Sequence, residues 1–192
     1  MNAFSDMMVD IFGQKGKHAR SAVGMSALPG NIAIEIEMIV EIPQGSRNKY
    51  EMDHETGAIW LDRTLFTATQ YPLDYGFFPH TLGEDGDPLD ALILLPQPTF
   101  PGCHMWARPI GVFWMTDEKG PDAKVLCVPS RDARYAHYRD LSDAPDFLLA
   151  EIANFFEVYK LIEPNKESTV GGWNGAAEAE QEIAAAIARY VP

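Results

Sequence analysis

Three aspartates fall within six residues in the segment Asp85-Gly-Asp-Pro-Leu-Asp90. Carboxylates packed this closely repel. Two bare charges about 5 Å apart cost about 3 kcal/mol at an effective dielectric of roughly 20. The cluster persists if it is solvated, partly protonated or bound to a cation. Oxygen-only donors suit hard ions, Mg2+ or Mn2+ ahead of Zn2+. A calcium EF-hand fits worse: counted from Asp85, Leu89 and Asp90 stand where that loop needs an oxygen ligand and a glycine. A solvated acidic turn is the plain alternative.

A second acidic pair, Asp117 and Asp122, lies in Met-Thr-Asp-Glu-Lys-Gly-Pro-Asp-Ala-Lys. Lys124 follows Asp122 by two residues, so the two share a side of an extended chain. Alone, this segment reads as a charged hairpin turn. Likewise Glu41 could face solvent from a strand, Arg63 could be a surface cation, and Tyr159 could be plain core.

The elements that must hold these groups are mostly strands. Ile32–Ile42 alternates apolar residues with Glu35, Glu37 and Glu41, which predicts a half-buried strand. Lys49–Met52 predicts a second, with Lys49 and Glu51 on one face. Further short strands are expected near Ala58–Leu61, Leu89–Leu95, Met105–Trp114 and Lys124–Val128, separated by Gly- and Pro-containing turns. Two helices close the chain. Leu148, Ile152, Phe155, Phe156 and Tyr159 recur at helical spacing over Asp146–Ile162, with Asp143 and Pro145 at the expected start. Asn174–Tyr190 carries Ile183, Ile187 and Tyr190 on one stripe. The expectation is a mainly β, α+β fold: a small barrel or sandwich flanked by two C-terminal helices.

Length and charge narrow the function. A chain of 192 residues suits one domain, expected over residues 31–192, with residues 1–30 as an N-terminal extension. The net charge is -13, which opposes any partner held mainly by its phosphate backbone, and so opposes nucleic acid. No apolar run approaches the roughly 18 residues of a membrane helix. Cys103 and Cys127 form neither a CxxC pair nor a disulfide framework, which fits reduced thiols and a cytoplasmic location.

Several segments, taken in order, resemble the soluble inorganic pyrophosphatases of family I. They are Glu41-Ile-Pro, Arg47-Asn-Lys-Tyr-Glu51, Asp62-Arg63, Tyr71-Pro, Asp74-Tyr-Gly76, Asp85–Asp90, Met115-Thr-Asp117, Asp122-Ala-Lys124, Phe155-Phe-Glu-Val-Tyr-Lys160 and Gly172-Trp173. The resemblance implies an OB-like five-stranded barrel and hydrolysis of pyrophosphate to two orthophosphates. By the same resemblance, Asp85, Asp90 and Asp122 hold the tightest Mg2+, and Asp90 also helps hold a second ion. Asp87 is the general base for the attacking water. Asp117 and Asp122 meet an ion arriving with substrate. Glu41 supports a further ion, and Glu51 lies behind the ligands. Lys49, Arg63, Tyr75, Lys124, Tyr159 and Lys160 bind phosphate. Several Mg2+ per site are implied, with Mn2+ or Zn2+ as substitutes, and a homo-oligomer, commonly a hexamer.

A charge count agrees with a multi-cation site. The implied set has seven acids and four bases, three negative charges in excess. Fully ionised pyrophosphate adds about four more. Substrate binding is therefore expected to require several divalent cations.

Overall fold

The computed structural model describes residues 35–191. The extension expected over residues 1–30, and the start of the strand expected at Ile32–Ile42, lie outside the described residues. Eight strands and two helices follow in order: β1 (Ile36–Ile42), β2 (Asn48–Met52), β3 (Ile59–Thr64), β4 (Asp74–Phe77), β5 (Asp90–Ile93), β6 (His104–Asp117), β7 (Gly120–Pro129), α1 (Asp146–Val158), β8 (Ser168–Gly175) and α2 (Ala176–Arg189). The fold is mainly β with two C-terminal helices, as the sequence predicts.

β1 divides its length between two partners. Residues 36–39 pair antiparallel with β6, and Ile39, Val40 and Ile42 pair antiparallel with β4. The order β1-β4-β5-β7-β6 therefore returns to β1, a ring of five strands of OB-like kind. β8 adds to the outer side of β6, while β2 and β3 form a separate hairpin.

Both faces of the main sheet are buried. Leu92, Leu126, Val128, Phe113 and Met115 join one apolar cluster with Ile152, Phe155 and Phe156 of α1. Their strand neighbours Ala91, Ile93, Val125, Cys127 and Val112 join a second with Ala179, Ile183 and Ala186 of α2. A strand covered on both sides reads as a continuous apolar run rather than an alternating one, as Ala91–Leu95 does.

The strand at Glu41 departs from expectation. Met38 to Ile42 are all buried, so this half of β1 is not half-exposed. Val40 pairs with Gly76 and Ile42 with Tyr75, which leaves Glu41 as the extra residue of a bulge. Gly76 permits the close approach: a Cβ there would stand 1.9 Å from the Ile39 carbonyl oxygen.

Two strands were not anticipated, β4 and β8. Helix α1 ends at Val158 rather than Ile162, and the chain turns through residues 159–166 before β8. Pro145 caps α1 without a side-chain bond, and Asp143 instead completes a capping box on the preceding 3-10 turn. Cys103 and Cys127 are free thiols. No helix among the described residues is long and apolar enough to cross a membrane.

Candidate active site

The face of the sheet that carries Leu92, Leu126, Val128, Phe113 and Met115 does not stay apolar to its end. Two-residue steps along the same strands lead to Asp90 on β5, Lys124 and Asp122 on β7, and Asp117 on β6. The apolar cluster thus runs into a charged one, with Tyr75, Phe156 and Tyr159 at the boundary.

Lys124 stands at that boundary, 1% exposed. Asp90 and Lys124 are register partners on parallel strands. The Lys124 ammonium donates to Asp90 Oδ2 at 2.6 Å and to both oxygens of Asp122 at 2.8 and 2.9 Å. It also lies 5.4 Å from the Tyr75 ring centre and 5.0 Å from that of Phe156. Tyr75 Oη donates to the same Asp90 oxygen. Burial opposes the charge on Lys124, but Asp122 and Asp90 outweigh it and hold its pKa well above the ordinary value. Two carboxylates facing one ammonium leave one negative charge over. Burial, with Lys124 opposing, raises the Asp90 carboxyl accordingly.

Asp85 and Asp87 sit on the turn between β4 and β5. Gly86 has φ +91°, a left-handed conformation that favours glycine. Gly83 N–H donates to the Asp87 carbonyl at 2.7 Å, and Asp87 N–H to Asp85 Oδ1 at 3.2 Å. Buried Thr81 ties the two ends of this segment. Its hydroxyl donates to the Phe78 carbonyl at 2.6 Å and accepts from Leu89 N–H at 2.9 Å. The segment is a turn, so the two aspartates are placed by loop geometry and not by strand alternation. Burial raises the pKa of Asp85. Asp87 is 57% exposed, and its Oδ2 accepts from Lys119 at 2.6 Å.

Glu41, re-aimed by its bulge, accepts from Met52 N–H at 2.7 Å. Burial, opposed by that bond and assisted by the charge of Asp90, pushes its pKa up to about 7. Across the cavity, Lys49 pairs with Glu51, and Arg63 with Asp62. Lys49 and Arg63 are register partners on β2 and β3. Lys160, in the turn after α1, donates to Asp117 at 2.7 Å. Tyr75 and Tyr159 are buried and their pKa values raised, so both remain neutral donors.

These groups surround one cavity of about 350 Å3. Every residue singled out from sequence lines it: Glu41, Lys49, Glu51, Arg63, Tyr75, Asp85, Asp87, Asp90, Asp117, Asp122, Lys124, Tyr159 and Lys160. Sequence reasoning assigned no role to His54, Glu118, Lys119 or Lys166, which also line it. Glu118 and Lys119 directly follow Asp117 on the β6–β7 turn, a usable signal. Burial opposes the charge of Glu118, but Lys166 and Lys160 bring its pKa down to about 2. Lys166 had no signal, because only the turn after α1 brings it back. Asp74, by contrast, stays out of the cavity. It is buried and accepts from Gln44 and Thr99 N–H at 2.7 and 2.8 Å, a loop-tying role.

Among the described residues, no three of these acids converge on one point as a metal cage. Ammonium groups stand between them instead. The donor chemistry nonetheless fits hard divalent cations: all ligating atoms are oxygens, and Glu41, Asp85 and Asp90 have pKa values raised first by burial and further by neighbouring carboxylates. Nine acids and six bases line the cavity, three negative charges in excess.

Carboxylates for cations, interleaved with ammonium and guanidinium groups for phosphoryl oxygens, place the protein among the hydrolases of phosphoric anhydrides. The chain belongs to the inorganic pyrophosphatase family, whose profile matches residues 38–191. An inorganic pyrophosphatase of Streptomyces coelicolor is 57% identical over 157 residues, 82% of this chain and 96% of that protein. The crystal structure of the inorganic pyrophosphatase from Thermus thermophilus has a TM-score of 0.79 at 45% identity, covering 88% of this chain and 99% of that one. The Coxiella burnetii inorganic pyrophosphatase has a TM-score of 0.80 at 43% identity, covering 86% and 100%.

Two outcomes follow for protein held in chelator. Lys124→Ala strands Asp90 and Asp122 together and is expected to lower stability by about 3–5 kcal/mol, read by urea unfolding. An unchanged midpoint would show that the ammonium is dispensable. The Glu41 carboxyl is easier to ionise unfolded than folded. Its contribution is therefore complete below about pH 4.5 and lost as pH rises through about 7, at most about 3 kcal/mol. Glu41→Gln should flatten the fall in unfolding free energy between about pH 5 and about pH 8. An identical slope in both proteins would exclude Glu41 as its source.

Proposed function

We infer that this protein hydrolyses inorganic pyrophosphate to two orthophosphates. The observation that carries the reading is the interleaving of carboxylates with Lys49, Arg63, Lys124 and Lys160 around one cavity, in a chain of this family. Pyrophosphate hydrolysis is phosphoryl transfer to water. The protein must place the water and spread charge from the phosphoryl and leaving oxygens.

Asp87 is the proposed general base. It is exposed to the cavity, and with Oδ2 held by Lys119, Oδ1 is left to take the proton from the attacking water. Arg63 can grip a phosphoryl group through two N–H donors, whereas the lysines act as point charges. Tyr75 and Tyr159 donate hydrogen bonds without adding charge. Asp85, Asp90 and Asp122 are the proposed principal cation ligands, with Asp117 and Glu41 for further ions and Glu51 behind them. Mg2+ is the proposed cation on donor hardness, with Mn2+ or Zn2+ as substitutes. When bound, these ions neutralise phosphate charge and make water more acidic.

The free thiols support a reducing, cytoplasmic compartment. Self-association into a homo-oligomer, six copies by the family resemblance, is supported by the exposure of Phe100, Phe147, Leu161 and Ile162. Sedimentation velocity is expected to give a mass well above one chain, and a monomer at micromolar concentration would overturn this part.

The function is tested by phosphate release from pyrophosphate. Turnover is expected with Mg2+ and none in chelator. Asp87→Asn should fold and bind Mg2+ but turn over about 10²-fold more slowly or worse. Unchanged turnover in that variant removes Asp87 from the role.

A further inference from the structure

Glu163 does not line the cavity, yet it touches a residue that does. It sits in the turn after α1, its side chain 4% exposed, with Oε2 2.9 Å from Arg63 Nε. The contact is close but not well aligned. Arg63 Nε and Glu163 Oε1 are both buried, and neither has an aligned hydrogen-bond partner among the described residues. Burying a carboxylate is unfavourable, and an apolar side chain of similar volume is often as stable or more so. Stability alone is therefore a poor account of an acid at this position.

The chemistry of the guanidinium supplies a better one. Arg63 has donors on two edges. Glu163 faces Nε from the buried side, and Asp62 takes Nη1. Nη2 makes no hydrogen bond among the described residues, and the side chain lines the cavity. An ion pair on the Nε edge restrains rotation of the group and so biases the direction of its Nη donors. A lysine would offer three donors around a single nitrogen, without the two planar edges that let a guanidinium face Glu163 and the cavity in fixed directions. The same turn carries Lys160, bonded to Asp117, and Lys166, bonded to Glu118. One short segment thus ties the β2–β3 hairpin and the β6–β7 hairpin to a common frame.

We propose that Glu163 is a positioning residue that fixes the Arg63 guanidinium through Nε, so that its Nη donors meet phosphoryl oxygens of the substrate. The proposal rests on the reading of Arg63 as a phosphate-binding group. Glu163 touches no substrate and acts only through Arg63.

A four-way comparison tests it: wild type, Glu163→Gln, Arg63→Lys and the double variant. Each is measured for KM and kcat with pyrophosphate and MgCl2, for calorimetric affinity to methylenediphosphonate, and for melting temperature. Glu163→Gln is expected to raise KM and weaken diphosphonate binding by about tenfold, as when a charged partner is lost, with kcat changed less than about threefold. In the Arg63→Lys background the same change should matter less than about twofold, because the group it positions is gone.

Unchanged KM and affinity in Glu163→Gln would overturn the proposal. So would equal weakening in both backgrounds, which would make Glu163 a tether for its own turn. Should Glu163→Gln unfold, Glu163→Asp keeps the charge, shortens the reach and enters the same comparison. A wild type that neither binds the diphosphonate nor releases phosphate would instead bring down the reading of the whole site.

Discussion

The Lys124 ammonium is almost wholly buried. Asp90, Asp122, the Tyr75 ring and the Phe156 ring enclose it, so β4, β5, β7 and α1 all meet at one buried charge. Such a charge is tolerable only while its carboxylates stay in place. The constraint is mutual, because Asp90 and Asp122 are equally unable to stand beside each other without it. Apolar packing delivers the strands to this point, and electrostatics fixes their ends. The site is thus the polar continuation of the apolar cluster under α1, built on the same alternating face.

A second constraint is the bulge at Glu41. In a regular β1, Val40 and Ile42 would share a face. Here they join different apolar clusters, and the extra residue between them carries its carboxylate toward Met52 on the neighbouring hairpin. A bulge re-aims one side chain at the expense of one ladder step. The result is an acid held inside the fold, where burial raises its pKa, in a position that strand alternation would have turned elsewhere.

This explains what was legible in the sequence. Asp122 and Lys124 could be paired because two-residue spacing on an extended chain has a fixed geometric meaning, whereas Asp90 was grouped by adjacency and Asp117 joined the set only by resemblance. The acids of the β4–β5 turn could be grouped because they are adjacent. Glu41 could be placed only by resemblance, since its alternating pattern pointed to solvent. β4 escaped notice because four buried residues including Gly76 show no period. β8 escaped because Gly171, Gly172 and Gly175 weaken any strand signal. Glu163 and Lys166 were invisible for a different reason. They stand on turns, and their partners are chosen by where those turns lead rather than by spacing.

The pairing pattern carries one consequence for how the cavity meets an anion. Each of its six cationic groups is already matched to a carboxylate: Lys49 to Glu51, Arg63 to Asp62 and Glu163, Lys119 to Asp87, Lys124 to Asp90 and Asp122, Lys160 to Asp117, and Lys166 to Glu118. A phosphate oxygen that recruits any of them must share it with an acid or displace one. An acid so displaced is left charged in a wall that already carries excess negative charge, and in the least exposed places, at Asp90, Asp117 and Asp122, the penalty is steepest. The wall by itself therefore resists a highly charged anion despite its six cations. Positive charge from outside the chain relieves both sides of the conflict at once, since it frees the ammonium groups for the anion while keeping the displaced carboxylates neutralised.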